Sequence, residues 1–380
     1  MSGRADIAPF IAMEVAREAN ARAAAGQSLA RFDVGQPQFG APASALRTAE
    51  AALRADTLGY TEGLGAGALR RAIADWYGRA YDLDIDPGRI VVTTGASGAF
   101  TLAFLALFDD GAGLALASPG YPPYRHILKA LGLRAVVAEA RIEDGLQMTA
   151  GLLDHAAAGA RVDGVLVASP ANPTGAMLSD DALKALCAQA RALGIPLISD
   201  EIYHGLAYEG AGASALRHDD EAVVINSFSK YWAMTGWRVG WIVAPPRLVK
   251  PLERLAQNLT VAPPTVSQVA ALGALEAREE CEARREIYAA NRALMLAELP
   301  GLGLAPVVRP DGAFYVLVDI SAHGDDSMAL ARRLLDDARV AITPGVDFCE
   351  TRGRRWARLA YCRPREEVEG GLERLRAVLR

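Results

Sequence analysis

The chain has 380 residues, 51% apolar and 22% charged, with a formal net charge of -5, the balance of an ordinary globular protein rather than a disordered one. That length can bury a large core and predicts two domains, or one large domain with a smaller appendage. With no basic stripe and no acidic tail, nucleic-acid and membrane-surface partners are disfavoured.

In chain order, the N-terminal "MSGRADIAPFIAMEVAREANARAAAG" has charges interrupting its apolar residues at helical spacing, so it reads as an amphipathic helix and not as a signal peptide. Nowhere does the chain reach the run of about 18 apolar residues expected of a membrane span. The next segment contains "GLGAGA", Gly63 to Ala68, which matches the dinucleotide fingerprint. A true fingerprint follows a buried strand. Here "RADTLGYTE" precedes it, polar and turn-like, so the glycines read as a tight loop before the helix "ALRRAIADWYG", and a nicotinamide-dependent dehydrogenase is the weaker reading.

From about residue 89 short apolar runs alternate with helical patterns. The runs are "RIVVTTG", "GLALASPG", "RAVVAEA", "DGVLVASP", "IPLISDE", "AVVINSF" and "WRVGWIVAP". Most are near-continuous in apolar residues, as expected of strands buried on both faces of a mainly parallel sheet. Between them lie helices such as "DDALKALCAQARALG", opened by the cap at Ser179 and closed by Gly194. The alternation predicts a doubly wound α/β domain. Past about residue 275 come a long charged helix, "EAREECEARREIYAANRALMLAEL", the strands "AFYVLVDI" and "WARLAYC", and a closing helix, "REEVEGGLERLRAVL". This is an α+β pattern. The expected division is a large domain over 46–275 and a smaller one from 1–45 with 276–380.

Ligands of open α/β sheets bind beyond the carboxyl ends of the strands. Those ends carry Gly95, Ala96 and Ser97; Tyr121; Asn172; Asp200 and Tyr203; and Ser227 and Lys230. A helix opening at Ser97 would turn free N–H groups and a hydroxyl toward the strand ends, a seat for phosphate. Ser227 and Arg238 could add a hydroxyl and a planar cation to it, although an N-cap for Ser97 and a surface ion pair for Arg238 are ordinary alternatives. An unpaired carboxylate at Asp200 would be costly to bury, and a protonated aromatic nitrogen would serve as its partner. One compositional oddity singles out Lys230: the chain has 36 arginines and four lysines, Lys129, Lys184, Lys230 and Lys250. Lysine can shed its proton and become a nucleophile, which arginine does not.

Collectively these groups describe a ligand with a basic ring nitrogen, a hydroxyl and a phosphate arm beside an amine, which is pyridoxal 5'-phosphate. Residues from about 30 to 365 resemble the fold-type I, class I/II aminotransferases, of the aspartate-aminotransferase kind. The resemblance is carried in order by "GYTEGLGAGALRRAIADW", "SPANPTG", "SDEIY", "SFSKYWAMTGWRVG" and "RLAYC". It implies a large seven-stranded, doubly wound sheet domain and a smaller α+β domain built from both termini.

By that resemblance Lys230, Asp200 and Tyr203 are the catalytic groups. Lys230 would form the internal aldimine and Asp200 would pair with the pyridine nitrogen. Tyr203 and Asn172 would bond the ring oxygen, and Tyr121 would stack on the ring. Ala96, Ser97, Ser227 and Arg238 would hold the phosphate, and Tyr60 would reach the phosphate of a neighbouring subunit in a homodimer with shared sites. Arg358 would grip the substrate α-carboxylate, near Asn172 and the Gly35 backbone. Gln36 and Gln38 stand where many relatives have acidic residues, which leaves the substrate-side loop less defined.

The implied activity is ping-pong transfer of an amino group from an L-amino acid to a 2-oxo acid. The alternative on the same scaffold is a C–S β-lyase or other Cα/Cβ chemistry. Four scattered cysteines without a CxxC pair suit a reducing cytoplasm, and five histidines without an HxxH grouping predict no metal.

Overall fold

A computed structural model of the chain describes residues 2–55, 58–210 and 212–379. Helix α1 (Ile11–Ala24), the short strand β1 (Ala30–Arg31), α2 (Ala43–Ala55) and α3 (Gly67–Tyr81) come first. Strands and helices then alternate: β2 (Ile90–Thr93), α4 (Gly95–Leu107), β3 (Gly113–Ser118), α5 (Pro122–Ala130), β4 (Arg134–Glu139), α6 (Ala150–Gly159), β5 (Gly164–Ala168), α7 (Asp180–Ala192), β6 (Leu197–Asp200), β7 (Val223–Ser227) and β8 (Gly240–Val243). The remainder is α8 (Pro246–Leu259), α9 (Thr265–Ala274), α10 (Arg278–Glu298), β9 (Tyr315–Asp319), α11 (Ser327–Arg333), β10 (Val340–Ala341), β11 (Thr343–Pro344), β12 (Trp356–Ala360) and α12 (Arg365–Leu379).

All seven apolar runs become strands of one sheet, ordered β2, β8, β7, β6, β5, β3, β4. The neighbours among β3 to β7 run parallel, and β8 runs antiparallel to both β7 and β2. Apolar runs carry no direction, so this reversal was not legible in them. Its cause is local: only a single 3-10 turn, Thr235–Trp237, lies between β7 and β8, and a parallel crossover needs a longer link, usually a helix. Every residue of β2, β6, β7 and β8 is buried, as continuous apolar strands require.

The helices obey their local signals. Ser179 accepts a bond from the Ala182 N–H at 3.2 Å to open α7, and Gly194 follows its end at φ +66°. The loop at Gly63–Ala66 precedes α3, and Gly65 has φ +89° with Val92 where a side chain would stand. No described strand leads into it, in agreement with the tight-loop reading. Asp56 and Thr57 of the preceding polar segment lie outside the described residues.

The two chain ends meet. β1 pairs in parallel with β10 through Ala30 and Val340, and β11, β12 and β9 form a three-stranded antiparallel sheet. The N-terminal N–H groups of α1 are held by this region: Ile11 and Ala12 donate to the Asp347 carboxylate at 3.2 and 3.0 Å. Among the described residues no helix is long and apolar enough to cross a membrane.

Candidate active site

Antiparallel β8 begins at Gly240, opposite Thr93 of β2 and Ser227 of β7. The carboxyl ends of the parallel strands and the amino end of β8 therefore share one edge. Residues just beyond that edge, with others from the chain ends, enclose a cavity of about 480 Å³. Ala96, Ser97, Tyr121, Asn172, Asp200, Tyr203, Lys230 and Arg238 line it from the large sheet, and Gly35 and Arg358 from the terminal region. Ser227 and Tyr60 do not.

Lys230 lies three residues past β7, in the tight return to β8. Its Nζ donates to the Gly35 carbonyl at 2.7 Å. Burial pushes the amine down from 10.5 to about 8; Cys362 and Asp200 oppose this, while Arg358 and Arg238 add to it. A lysine so placed has a usable neutral fraction near neutral pH. Gly35 has no alternative here: an added Cβ would stand 1.6 Å from the Tyr315 hydroxyl.

Asp200 is the last residue of β6 and only 4% exposed. Oδ1 accepts the Ile202 N–H at 3.1 Å and Oδ2 accepts the Tyr124 phenol. Burial raises its carboxyl to about 6 against the lowering effect of those two bonds. No cation forms an ion pair with it among the described residues, so it is oriented but not neutralised. Tyr203, buried beside it, exchanges a 2.8 Å hydrogen bond with the Tyr315 hydroxyl.

α4 leaves β2 through Gly95, whose φ is +72°. The helix starts at Gly95, two residues before the expected Ser97, so Ala96 and Ser97 contribute first-turn N–H groups that have no partner within the helix. The Arg238 guanidinium occupies the space beside Gly95, where an added Cβ would be 2.5 Å from Nη2. Arg238 donates to the Thr235 carbonyl at 3.0 Å and pairs with no carboxylate among the described residues. A free cation over a helix N-terminus is a seat for an anion. Ser227 is fully buried and its Oγ is engaged by Ser229 Oγ at 2.9 Å, the Val239 carbonyl at 3.0 Å and the Ser229 N–H at 3.1 Å. The tight return consumes this hydroxyl, and Ser229 lines the cavity in its place.

Arg358, in the middle of β12, is 2% exposed. Nη1 donates to Asn172 Oδ1 at 2.8 Å, and Nη2 to the Asp33 carbonyl at 2.6 Å and Thr343 Oγ1 at 3.1 Å. The rings of Tyr315 and Phe348 lie 4.4 and 4.8 Å from its Cζ, while Nε is buried without a partner. A rigid cation with an unspent donor on a cavity wall suits a carboxylate. Tyr121 caps α5 and meets Phe10 and Tyr124 edge-on at 5.8 and 5.2 Å. Tyr60 is 86% exposed.

Sequence reasoning missed Tyr124, Tyr315, Phe10 and Met13, which also line the cavity. Tyr124 follows Tyr121 by three residues in "YPPY", a helical neighbour spacing that could have exposed it. The terminal residues carried no comparable signal.

The family model described as "Aminotransferase class I and II" matches residues 27–375. The valine–pyruvate aminotransferase of Mycobacterium tuberculosis is 43% identical, over 98% of this chain and 96% of its own. The crystal structure of an aminotransferase from the same organism superposes with a TM-score of 0.97 at 42% identity, covering 100% of this chain and 98% of that one. Aspartate aminotransferase from Thermus thermophilus with maleate gives 0.94 at 34% identity, covering 100% and 99%.

Proposed function

The chain belongs to the class I and II aminotransferases, and from that premise we propose that it transfers the amino group of a neutral L-amino acid to a 2-oxo acid, using pyridoxal 5'-phosphate held at the strand ends. The chain is an aminotransferase, and its family uses this cofactor. The observation that carries the assignment of residues is the pairing of a depressed Lys230 amine with an oriented, unneutralised Asp200 across one cavity.

The residues present fit the group. The first turn of α4 and Arg238 would take the phosphate, Asp200 the ring nitrogen, Asn172 and Tyr203 the ring oxygen, and Tyr121 a ring face. When bound, the cofactor supplies a carbonyl for the amino group and a ring that accepts the electron pair left at Cα. Asp200 holds a proton at the ring nitrogen, and Tyr124 and the Ile202 N–H orient it. Lys230, in its neutral form, takes the proton from the substrate Cα and returns it. Arg358 fixes the α-carboxylate, and Asn172 and Thr343 hold Arg358. Ser227 supports the Lys230 turn rather than the ligand directly.

Phe10, Met13 and Val34 close the cavity with apolar surface, and Gln36 adds a neutral amide. The charged groups lining it, Asp200, Lys230, Arg238 and Arg358, all have roles at the cofactor or the α-carboxylate. No further cation of this chain faces a second substrate carboxylate among the described residues. A relative named for valine and pyruvate supports the same neutral donor class.

Tyr60, with the exposed Leu53 and Leu259, supports a homodimer in which Tyr60 completes the partner's phosphate seat. Residues 46–275 and the joined chain ends would act as two domains around the cavity. Four unpaired, buried cysteines support a cytoplasmic setting. The test is a panel of aliphatic, aromatic and acidic donors against pyruvate and 2-oxoglutarate. Aliphatic donors should lead by at least tenfold in kcat/KM. Preference for aspartate would overturn the donor class, and release of pyruvate and ammonia without an acceptor would overturn transfer.

A further inference from the structure

Directly behind Asp200 lies a polar cluster that the proposed chemistry does not use. Glu201 is 1% exposed, and its Oε1 collects three donors: Ser199 Oγ at 3.1 Å, Ser214 Oγ at 3.0 Å and the Ala215 N–H at 2.9 Å. Oε2 has none. The nearest partner to Oε2 is His204 Nδ1 at 3.4 Å, longer than a charge-assisted bond. His204 is 3% exposed, and its Nε2 faces the Ser169 carbonyl at 3.0 Å, which can only accept, so Nε2 carries a proton. Its Nδ1 meets the Tyr81 hydroxyl at 2.7 Å, a distance at which the phenol donates to a ring lone pair. The other titratable groups facing Glu201 are Tyr77 and Tyr81 from α3, Cys187 from α7 and Asp200 itself. None of them is a cation.

We propose that Glu201 is a carboxylic acid rather than a carboxylate in the folded chain, its proton on Oε2 toward a neutral His204, so that no second negative charge adjoins Asp200. Glu201 and His204 are then positioning residues. Glu201 ties the end of β6 to the 214–215 turn, and His204 ties it to the Ser169 carbonyl, three residues before Asn172. The consequence for Asp200 rests on the function proposed above; the protonation state does not. Burial acts in the same direction on both groups, raising Glu201 from 4.5 to about 7 and lowering His204 from 6.5 to about 4.

The arrangement relocates a proton on folding. Between about pH 4.5 and 6.5 the unfolded chain carries it on histidine and the folded chain on Glu201, so the pair adds no slope to stability against pH. Glu201→Gln removes the folded site only. Its stability should fall on acidification through that window relative to wild type, by up to tenfold in the folding constant per pH unit. Full-length wild type and Glu201→Gln are unfolded in denaturant at several pH values. The His204 ring is read in wild type by 15N NMR, with its signal assigned by its loss in His204→Gln. A one-proton difference in slope and a neutral Nε2–H ring near pH 6 support the proposal. Parallel slopes, or an imidazolium near pH 6, overturn it, and the NMR reading decides alone if the variant does not fold. A neutral ring in a protein without transaminase activity would leave this inference standing and remove the functional one.

Discussion

Arg358→Lys keeps a positive charge and removes the planar fork, so it isolates what guanidinium geometry contributes to substrate binding. Of five N–H donors, three are spent on Asn172, Asp33 and Thr343, which leaves Nε–H and one Nη1–H for a substrate carboxylate. A lysine ammonium has three donors. Keeping the Asn172 and Asp33 contacts leaves it one for substrate and none for Thr343. Losing one charge-assisted bond costs about 1.5–3 kcal/mol, and an unpaired buried acceptor adds about 1 kcal/mol. The sum of about 2.5–4 kcal/mol corresponds to a loss of roughly 10²- to 10³-fold in kcat/KM. The α-carboxylate is bound before and during the reaction, so the loss should fall mainly on KM. The assay compares an L-amino acid with the amine that lacks its carboxylate, in wild type and variant, as a double cycle. The amine should react poorly with both and be insensitive to the substitution. A folded variant with KM within threefold of wild type, or an equal loss with the amine, would refute the role of Arg358.

Three further outcomes follow from the same geometry. Arg238→Ala should raise the dissociation constant of pyridoxal 5'-phosphate by about 10- to 100-fold, from loss of a charge-assisted bond of about 1.5–3 kcal/mol; fluorescence titration reads this, and unchanged affinity removes Arg238 from the phosphate seat. In the cofactor-free chain Lys230→Met should be more stable than wild type at pH 7 by about 2 kcal/mol, because a partly buried ammonium is replaced by an apolar chain. The Lys230 amine titrates lower folded than unfolded, so the wild-type penalty is full below about pH 8 and is relieved as pH rises from about 8 toward 10.5. Denaturant unfolding across that range should show the two converging, and a constant gap would contradict the depressed amine. Finally, inactive Tyr60→Ala and Lys230→Ala chains, mixed and reassembled, should regain activity from the one site that has Lys230 of one chain and Tyr60 of the other; no recovery in verified heterodimers argues against shared sites.

The large sheet was legible because its strands are buried on both faces and therefore continuous in apolar residues. The order and direction of β8 were not, since they depend on a short return and not on periodicity. Lys230 stood out by rarity and Asp200 by the cost of burying a carboxylate at a strand end. Tyr203, Asn172 and Arg358 needed the family resemblance, because each is individually a common turn or surface residue. Ser227 shows the limit of motif reading: the hydroxyl lies at the expected position in the chain, and the return between β7 and β8 turns it into its own hydrogen bonds. Phe10 and Met13 reach the cavity only because Asp347, far away in sequence, fixes the start of α1. Glu201 and His204 escaped notice because a carboxylate and an imidazole without metal-ligand spacing look like ordinary polar residues until their burial is known.

The central claim is that one particular lysine bonds the cofactor. Purified chain loaded with pyridoxal 5'-phosphate, reduced with borohydride, digested and mapped by mass spectrometry reads this directly. The account predicts the cofactor's mass on the peptide containing Lys230 and its absence in Lys230→Ala. A label on Lys129, Lys184 or Lys250, or wild-type turnover by Lys230→Ala, would contradict it.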